Sequence, residues 1–428
     1  MTTPFTRRNL LLAGTGIAAG MLVRKARADQ QTPDQALNEL IQENQDTSVG
    51  TGFDNSLRGV KQPNRTLPTL SPATAQSTQQ AIAAYQAMVT KGGWPKVSPI
   101  AENLKVGAKS AAVPSLRMRL LISGDLDLNS GDPQVFDSYV DAAVRRFQLR
   151  HGLHPDGILH DDTLGALNVP ADIRLAQLKV NTTRLDTLTT NLGKDGNRLV
   201  VANIPAAQIE AIEDGVAVQR HIAVAGRPDR PSPLVNSKII QVNFNPYWTV
   251  PVSIVRKDLI PIMQKDPNYL TENHIRIYDS KHNELPPSQI DWYSTDAVNY
   301  RFRQDPGHFN SLGRMRINFP SPDGVYMHDT PERNLFGDDF RFASSGCMRV
   351  QNVRELVTWI LDQTPGWSAP QIDAVIQSGA RTDANVAKPI PLHWVYITAW
   401  ATSDGVVHFR DDIYDRDGVG AQANVMKG

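Results

Sequence analysis

The 428-residue chain is 40% hydrophobic and 21% charged, which is ordinary globular composition with room for two or three domains and excludes a disordered or fibrous chain. Lys+Arg and Asp+Glu stand at 44 each, but five bases and no acid lie in the first 28 residues, leaving 39 bases against 44 acids and a net charge near −5 beyond them. A mildly acidic body has no general electrostatic reason to bind nucleic acid or anionic lipid, so neither is an expected partner.

The first element, 1–28, has the pattern of an export signal. Thr6-Arg7-Arg8-Asn9-Leu10-Leu11 leads into an apolar run from Leu10 to Val23, closed by Ala26-Arg27-Ala28. That is a twin-arginine-like head with an A-x-A cleavage signature. The run is fourteen residues with three glycines, short for the roughly 30 Å of hydrocarbon in a bilayer. A periplasmic protein is therefore expected, with an uncleaved membrane anchor as the alternative. Residues 29–108 start as a Gln-, Asn-, Thr- and Pro-rich lead-in of poorly ordered composition. They continue into a helix at Ser77–Val89, spaced through Ile82, Tyr85 and Val89 and stopped by Lys91-Gly92-Gly93.

Residues 109–172 read as a compact helical module. Val113-Pro114-Ser115 starts a helix carrying Leu116, Leu120 and Leu121, and a second helix presents Tyr139, Ala143 and Phe147. A turn at Pro155-Asp156-Gly157 and a short helix from Asp161-Asp162-Thr163 follow. The run Ala143-Val144-Arg145-Arg146-Phe147-Gln148, with His151-Gly152-Leu153, Asp156-Gly157, Leu159 and Thr163-Leu164 after it, resembles the three-helix peptidoglycan-binding module of cell-wall enzymes. His151, His154 and His160 straddle a turn without cysteine support. They are expected at the surface or in turns and not as metal ligands; no metal or cofactor is expected.

A helical connector at 173–196 leads to a mostly-β domain at 197–418, making the fold class α+β. Strands are expected at Arg198–Asn203, Ala207–Glu213, Val216–Val224, Lys238–Phe244, Val325–His328 and Leu392–Trp400, paired antiparallel, with a hairpin at Asp214-Gly215. The polar stretch at about 252–306 interrupts the strands and reads as a lid over a groove. Residues 419–428 form a tail.

Phe342-Ala343-Ser344-Ser345-Gly346-Cys347-Met348-Arg349-Val350 holds the one cysteine of the chain. A lone cysteine can be a small buried hydrophobe, but a free thiol in an oxidising compartment is a liability unless it is used. Asn352-Val353-Arg354-Glu355 has the form of a capping box before a helix with Leu356, Val357, Ile360 and Leu361 on one face. That would put the thiol just ahead of a helix N-terminus, where its pKa falls. Gly346 leaves room for a substrate backbone, and amides around it can form an oxyanion hole. A thiol nucleophile needs an imidazole; His328, nineteen positions upstream, is the leading candidate, with His308 and His393 as alternatives.

Gly313-Arg314-Met315, Val325-Tyr326-Met327-His328-Asp329-Thr330 and Ser344–Val350 resemble the L,D-transpeptidase catalytic domain. Asn245–Pro251, Asn334-Leu335-Phe336 and Phe409–Tyr414 add to the likeness, which runs from about 75 to 418. Many members carry a second histidine before the Gly-Cys, where this chain has Ser345. The resemblance implies Cys347 as nucleophile and His328 as base. Gly346, Ser345 and Asp329 are implied as oxyanion or orienting groups, with Asp329 or a neighbouring backbone carbonyl as the third member. Arg349, Tyr326, Trp248, Asn310 and Ser344 are implied as substrate-binding; Arg349 would hold either a substrate carboxylate or its own loop.

The implied partner is peptidoglycan, through donor and acceptor stem peptides, with cell-wall synthesis proteins as further partners. The implied reaction is 3→3 cross-linking through a Cys347 thioester, and carbapenems are expected to acylate the same thiol. An L,D-carboxypeptidase or exchange enzyme, attachment of a protein lysine to the wall, and a non-catalytic wall-binding scaffold stay open as alternatives.

Overall fold

The computed structural model describes residues 66–127, 131–192 and 196–420. The expected export signal at 1–28, the lead-in up to 65 and the tail from 421 lie outside the described residues. Helix α1 (Pro72–Thr90) starts where Ser71 Oγ accepts the Thr74 amide at 3.0 Å and Pro72 fills the first turn. Helices α2 (Val113–Ile122), α3 (Ser138–His151) and α4 (Asp161–Asn168) form the module. They enclose Leu116, Leu120, Val140, Phe147, Leu164 and Leu167, and burying each such large apolar side chain contributes about 1.5–3 kcal/mol. Asp137 Oδ1 caps α3 by accepting the Val140 amide at 3.1 Å.

His151 is not a surface or turn residue. Its Nδ1 meets the Phe147 carbonyl at 2.8 Å and its ring stacks on Phe147 at 3.8 Å, because the last turn of α3 is buried against the β domain. His154 and His160 lie exposed beside Asp156. Helix α5 (Ala171–Leu192) packs on α1 and ties the helical region to the β domain. Gln177 Nε2 donates to the Arg410 carbonyl at 2.8 Å, and Asn181 Oδ1 accepts the Thr398 amide at 2.9 Å. Arg150, ion-paired with buried Asp125, donates to the Val407 carbonyl at 3.1 Å.

Among the described residues nine strands build the main sheet. They are β1 (Arg198–Asn203), β2 (Gln208–Glu213), β3 (Val216–Gly226), β4 (Val235–Phe244), β9 (Met315–Asn318), β10 (Met327–His328), β11 (Phe342–Ser344), β12 (Met348–Val350) and β13 (Thr382–Val395). Their order is β11-β3-β12-β10-β9-β4-β13-β1-β2, and β2 also pairs with β3, closing the sheet on itself. Asp214 and Gly215 take φ 52° and 78° in the two-residue hairpin, as a type I′ turn requires. The core holds Val200, Ile209, Val242, Ile317, Met327, Met348 and Leu392, with Leu356 and Ile360 of α6 (Val353–Leu361) against them. Helix α7 (Ala369–Ser378) follows before β13.

Two expectations change. Pairing is mixed, since β1–β13, β10–β12 and β11–β3 are parallel; the long return from His328 to Met348 supplies the crossover a parallel pair needs. The last expected strand divides into β13 and β14 (Ala399–Ala401), which pairs with β15 (Val407–Phe409). The break falls at Thr398, whose amide and carbonyl are taken by Asn181 and Gln177.

The insertion is a small subdomain. Strands β5 (Trp248–Thr249), β6 (Ile275–Tyr278), β7 (Glu284–Leu285) and β8 (Arg301–Gln304) pair in the order β5-β8-β6-β7. A helical run over 252–263, with a π turn at Val255–Leu259, completes it. Val255, Leu259, Leu270, Ile277 and Phe302 give it a core of its own, so a stretch that reads as polar in sequence is held by apolar packing.

Candidate active site

Strands β10 and β12 run side by side with Met327 opposite Met348 and His328 opposite Arg349. Registered neighbours share a face of a sheet, and side chains two apart on one strand share it too. Tyr326 and His328 therefore face the same way as Arg349 and Cys347, and the Tyr326 and His328 rings sit 5.6 Å apart. Among the expected bases, His328 stands next to the cysteine. His308 lies against Phe309 at the return from the insertion, and His393 is on β13, separated from β10 by β9 and β4.

His328 is 6% exposed, and its Nδ1 meets the Asp329 carbonyl at 2.5 Å. Donation to that carbonyl fixes the tautomer and leaves Nε2 as the basic atom. Burial, with Arg349 and Arg316 nearby, lowers its pKa to about 3. The Asp329 carboxylate does not touch the imidazole; it accepts the Arg314 amide at 2.9 Å. Of the two groups the motif allowed beside the imidazole, it is the backbone carbonyl that touches the ring.

Cys347 is partly covered and rests on the core. Burial pushes its thiol up to about 11, opposed by the amide and hydroxyl of Tyr326 and by Arg316 and Arg349. This reverses the expected depression. Strand β12 separates the thiol from α6, and Asn352 adopts a left-handed φ of 50° where the chain turns from β12 into the helix. Its side chain makes no cap; only its carbonyl accepts the Glu355 amide, at 3.0 Å. The thiol and the imidazole are thus both neutral at pH 7.

The turn ahead of the thiol is pinned on every side. Ser344 Oγ donates to the Cys347 carbonyl at 2.5 Å and accepts the Gly346 amide at 3.2 Å. Ser344 is 4% exposed and so shapes the turn from inside. Gly346 has φ 114°, open only to glycine, and its carbonyl accepts Ser232 Oγ at 2.9 Å. Ser345 Oγ accepts Arg230 Nη1 at 3.0 Å, and Arg230 also holds Asp258 of the insertion bidentately, one bond being 2.9 Å. Trp248 Nε1 donates to the Tyr326 hydroxyl at 3.2 Å, joining the insertion to the strand that carries His328.

Two expected substrate contacts are occupied within the fold. Arg349 pairs with Glu332. Asn310 is fully buried; its Nδ2 donates to the Pro246 and Asp305 carbonyls at 3.1 and 2.9 Å, and its Oδ1 accepts the Leu312 amide at 2.8 Å. It clamps the return of the insertion: a fully buried side chain with both donors taken inside a loop is not presented to a ligand. Sequence reading missed Ser232, Arg230 and Arg316. The alternation Arg314-Met315-Arg316-Ile317 was the available signal for Arg316: a polar strand face beside an apolar one.

Residues 197–367 match the family model of the L,D-transpeptidase catalytic domain, and residues 109–167 match a model described as "Putative peptidoglycan binding domain". A Haemophilus influenzae protein described as "Putative L,D-transpeptidase" is 34% identical over 248 residues, 56% of this chain and 50% of that protein. The chain thus spans half the length of the curated relative it matches. Solved structures that match include L,D-transpeptidases from Stackebrandtia nassauensis (11% identity, 68% of this chain and 95% of that one, TM-score 0.26) and Xylanimonas cellulosilytica (14%, 69% and 98%, 0.22). L,D-transpeptidase 3 from Mycobacterium tuberculosis, in complex with a faropenem-derived adduct, is another (14%, 46% and 60%, 0.23). Overlaps this slight carry no functional weight. Residues 197–367 are thus similar to the L,D-transpeptidase catalytic domain, and residues 109–167 ahead of them to a peptidoglycan-binding domain.

Proposed function

We propose that this protein is an exported, periplasmic L,D-transpeptidase that forms 3→3 cross-links through a thioester on Cys347. The observation that carries the reading is the register of β10 and β12, which sets the thiol and an imidazole with a free Nε2 on one sheet face. The Cys347 sulfur attacks the carbonyl of the third stem residue of a tetrapeptide donor while His328 takes the thiol proton. The carbon–nitrogen bond to the terminal D-alanine breaks, and its nitrogen leaves with that proton. The side-chain amine of a diaminopimelate on a neighbouring stem then attacks the thioester. Its proton passes through His328 to the departing sulfur, restoring the thiol. The Cys347 amide, which has no acceptor among the described residues, is the donor proposed for the oxyanion.

The insertion, tied down through Arg230–Asp258 and Trp248–Tyr326, acts as the lid that keeps water from the thioester until the amine arrives. The module at 109–167 keeps the enzyme on its polymer by raising effective concentration. The test is muropeptide analysis of wall material treated with the wild type and Cys347→Ala. Dimers linked 3→3 that vanish in the variant are expected; tripeptides alone would indicate a carboxypeptidase. No turnover, with no carbapenem adduct on Cys347 by mass spectrometry, would indicate a scaffold.

A further inference from the structure

Four arginines surround the thiol and its base, and three have partners. Arg230 holds Asp258, Arg349 holds Glu332, and Arg314 Nη1 reaches Asn245 Oδ1 at 3.4 Å. The Arg316 guanidinium makes no hydrogen bond or ion pair with the described residues, and its Nε is buried without an acceptor. Its guanidinium lies 4.2 Å over the Tyr326 ring, and on β9 it stands opposite His328. A partly buried guanidinium offers five donors and has lost water that nothing replaces, which is the condition for a charge-assisted bond to a planar anion.

The reaction specifies where such an anion falls. The nitrogen expelled on acylation must reach His328 to collect its proton. When one residue is expelled, its own carboxylate follows that nitrogen after a single α-carbon, about 2.5 Å away by standard backbone bond lengths and angles. It therefore falls among the neighbours of His328 on the two flanking strands, Arg316 on β9 and Arg349 on β12. Arg349 already shares its charge with Glu332, which leaves Arg316 as the guanidinium without an anion.

We infer that Arg316 is a specificity-determining residue that binds the free C-terminal carboxylate of the leaving residue, and so selects donors with a single residue beyond the scissile bond. A longer stem would present a neutral amide there. The inference rests on the transpeptidase reading and deepens it.

The test compares release of the terminal residue from a tetrapeptide donor and from its C-terminal carboxamide, using the full-length wild type, Arg316→Lys and Arg316→Gln. The wild type should prefer the acid by about 10- to 100-fold in kcat/KM, the range of a hydrogen bond between charged groups, with most of the difference in KM. Arg316→Gln should bring the acid-to-amide ratio near one, and Arg316→Lys should keep part of it. Alkylation of Cys347 by iodoacetamide in all three proteins checks that the site is intact. If the wild type processes acid and amide alike, or Arg316→Gln slows both equally, the inference is overturned and the transpeptidase reading stands. If the wild type releases nothing from either donor, both fall.

Discussion

A buried thiol at about 11, above its ordinary value of 9.0, makes a quantitative claim about reactivity. At pH 7 about one sulfur in ten thousand is ionised, against about one in a hundred for an ordinary thiol. Those two decades correspond to about 3 kcal/mol of added cost for ionising the sulfur in place. Alkylation by iodoacetamide, followed by intact mass, should therefore rise about tenfold per pH unit from about pH 6 to about pH 10, with no shoulder. Tyr326→Phe removes a hydroxyl that favours the thiolate and should lower the whole curve. A plateau of rapid alkylation between about pH 5 and about pH 8 is the signature of a thiolate–imidazolium pair. Finding one would refute the reasoning, because an imidazole lowered to about 3 cannot hold the partner charge in that range.

Gly313 has φ 59°, and a β-carbon added there would come within 2.4 Å of Asp329 Oδ2. Gly313→Ala should displace that carboxylate from the Arg314 amide and disturb the carbonyl that orients His328. A stability loss of about 1–3 kcal/mol in denaturant titration and a fall in turnover are expected; a neutral variant would contradict this. Acid should also destabilise the fold, because His328 is lowered to about 3 and buried His151 and His408 lie well below their ordinary value. The unfolded chain takes up protons below about pH 6.5 that the folded chain refuses, so stability is full above that pH and declines as pH falls towards 3. Each such histidine adds up to about 1.4 kcal/mol per pH unit in that window. Urea midpoints that stay flat from pH 7 to pH 4.5 would count against it.

Local chemistry was enough for the module and the hairpin, and it singled out Cys347 as the proposed nucleophile. The 3.6-residue spacing of Leu116, Leu120, Ala143 and Phe147 and the Asp214-Gly215 turn act over a few residues, and the structure realises them where the pattern put them. The sole cysteine and the histidine of the neighbouring motif could be named because their chemistry is written in residue type. Wherever a partner from afar competes, local reading failed. Asn352 has the residue type of a cap, yet the exit from β12 turns it left-handed. Asn310 has the residue type of a ligand contact, yet the return of the insertion takes both of its amide donors and buries it.

The proton state of Cys347 and the isolation of Arg316 belong to this second kind. Neither is a property of a residue or of its neighbours in the chain. The thiol is neutral because strands distant in sequence bury it, and Arg316 lacks an anion because Glu332 and Asp258 sit beside other arginines. Spacing along the chain can say which groups are available. Desolvation and pairing depend on which groups meet in space, and the parallel crossover between β10 and β12 is what makes them meet.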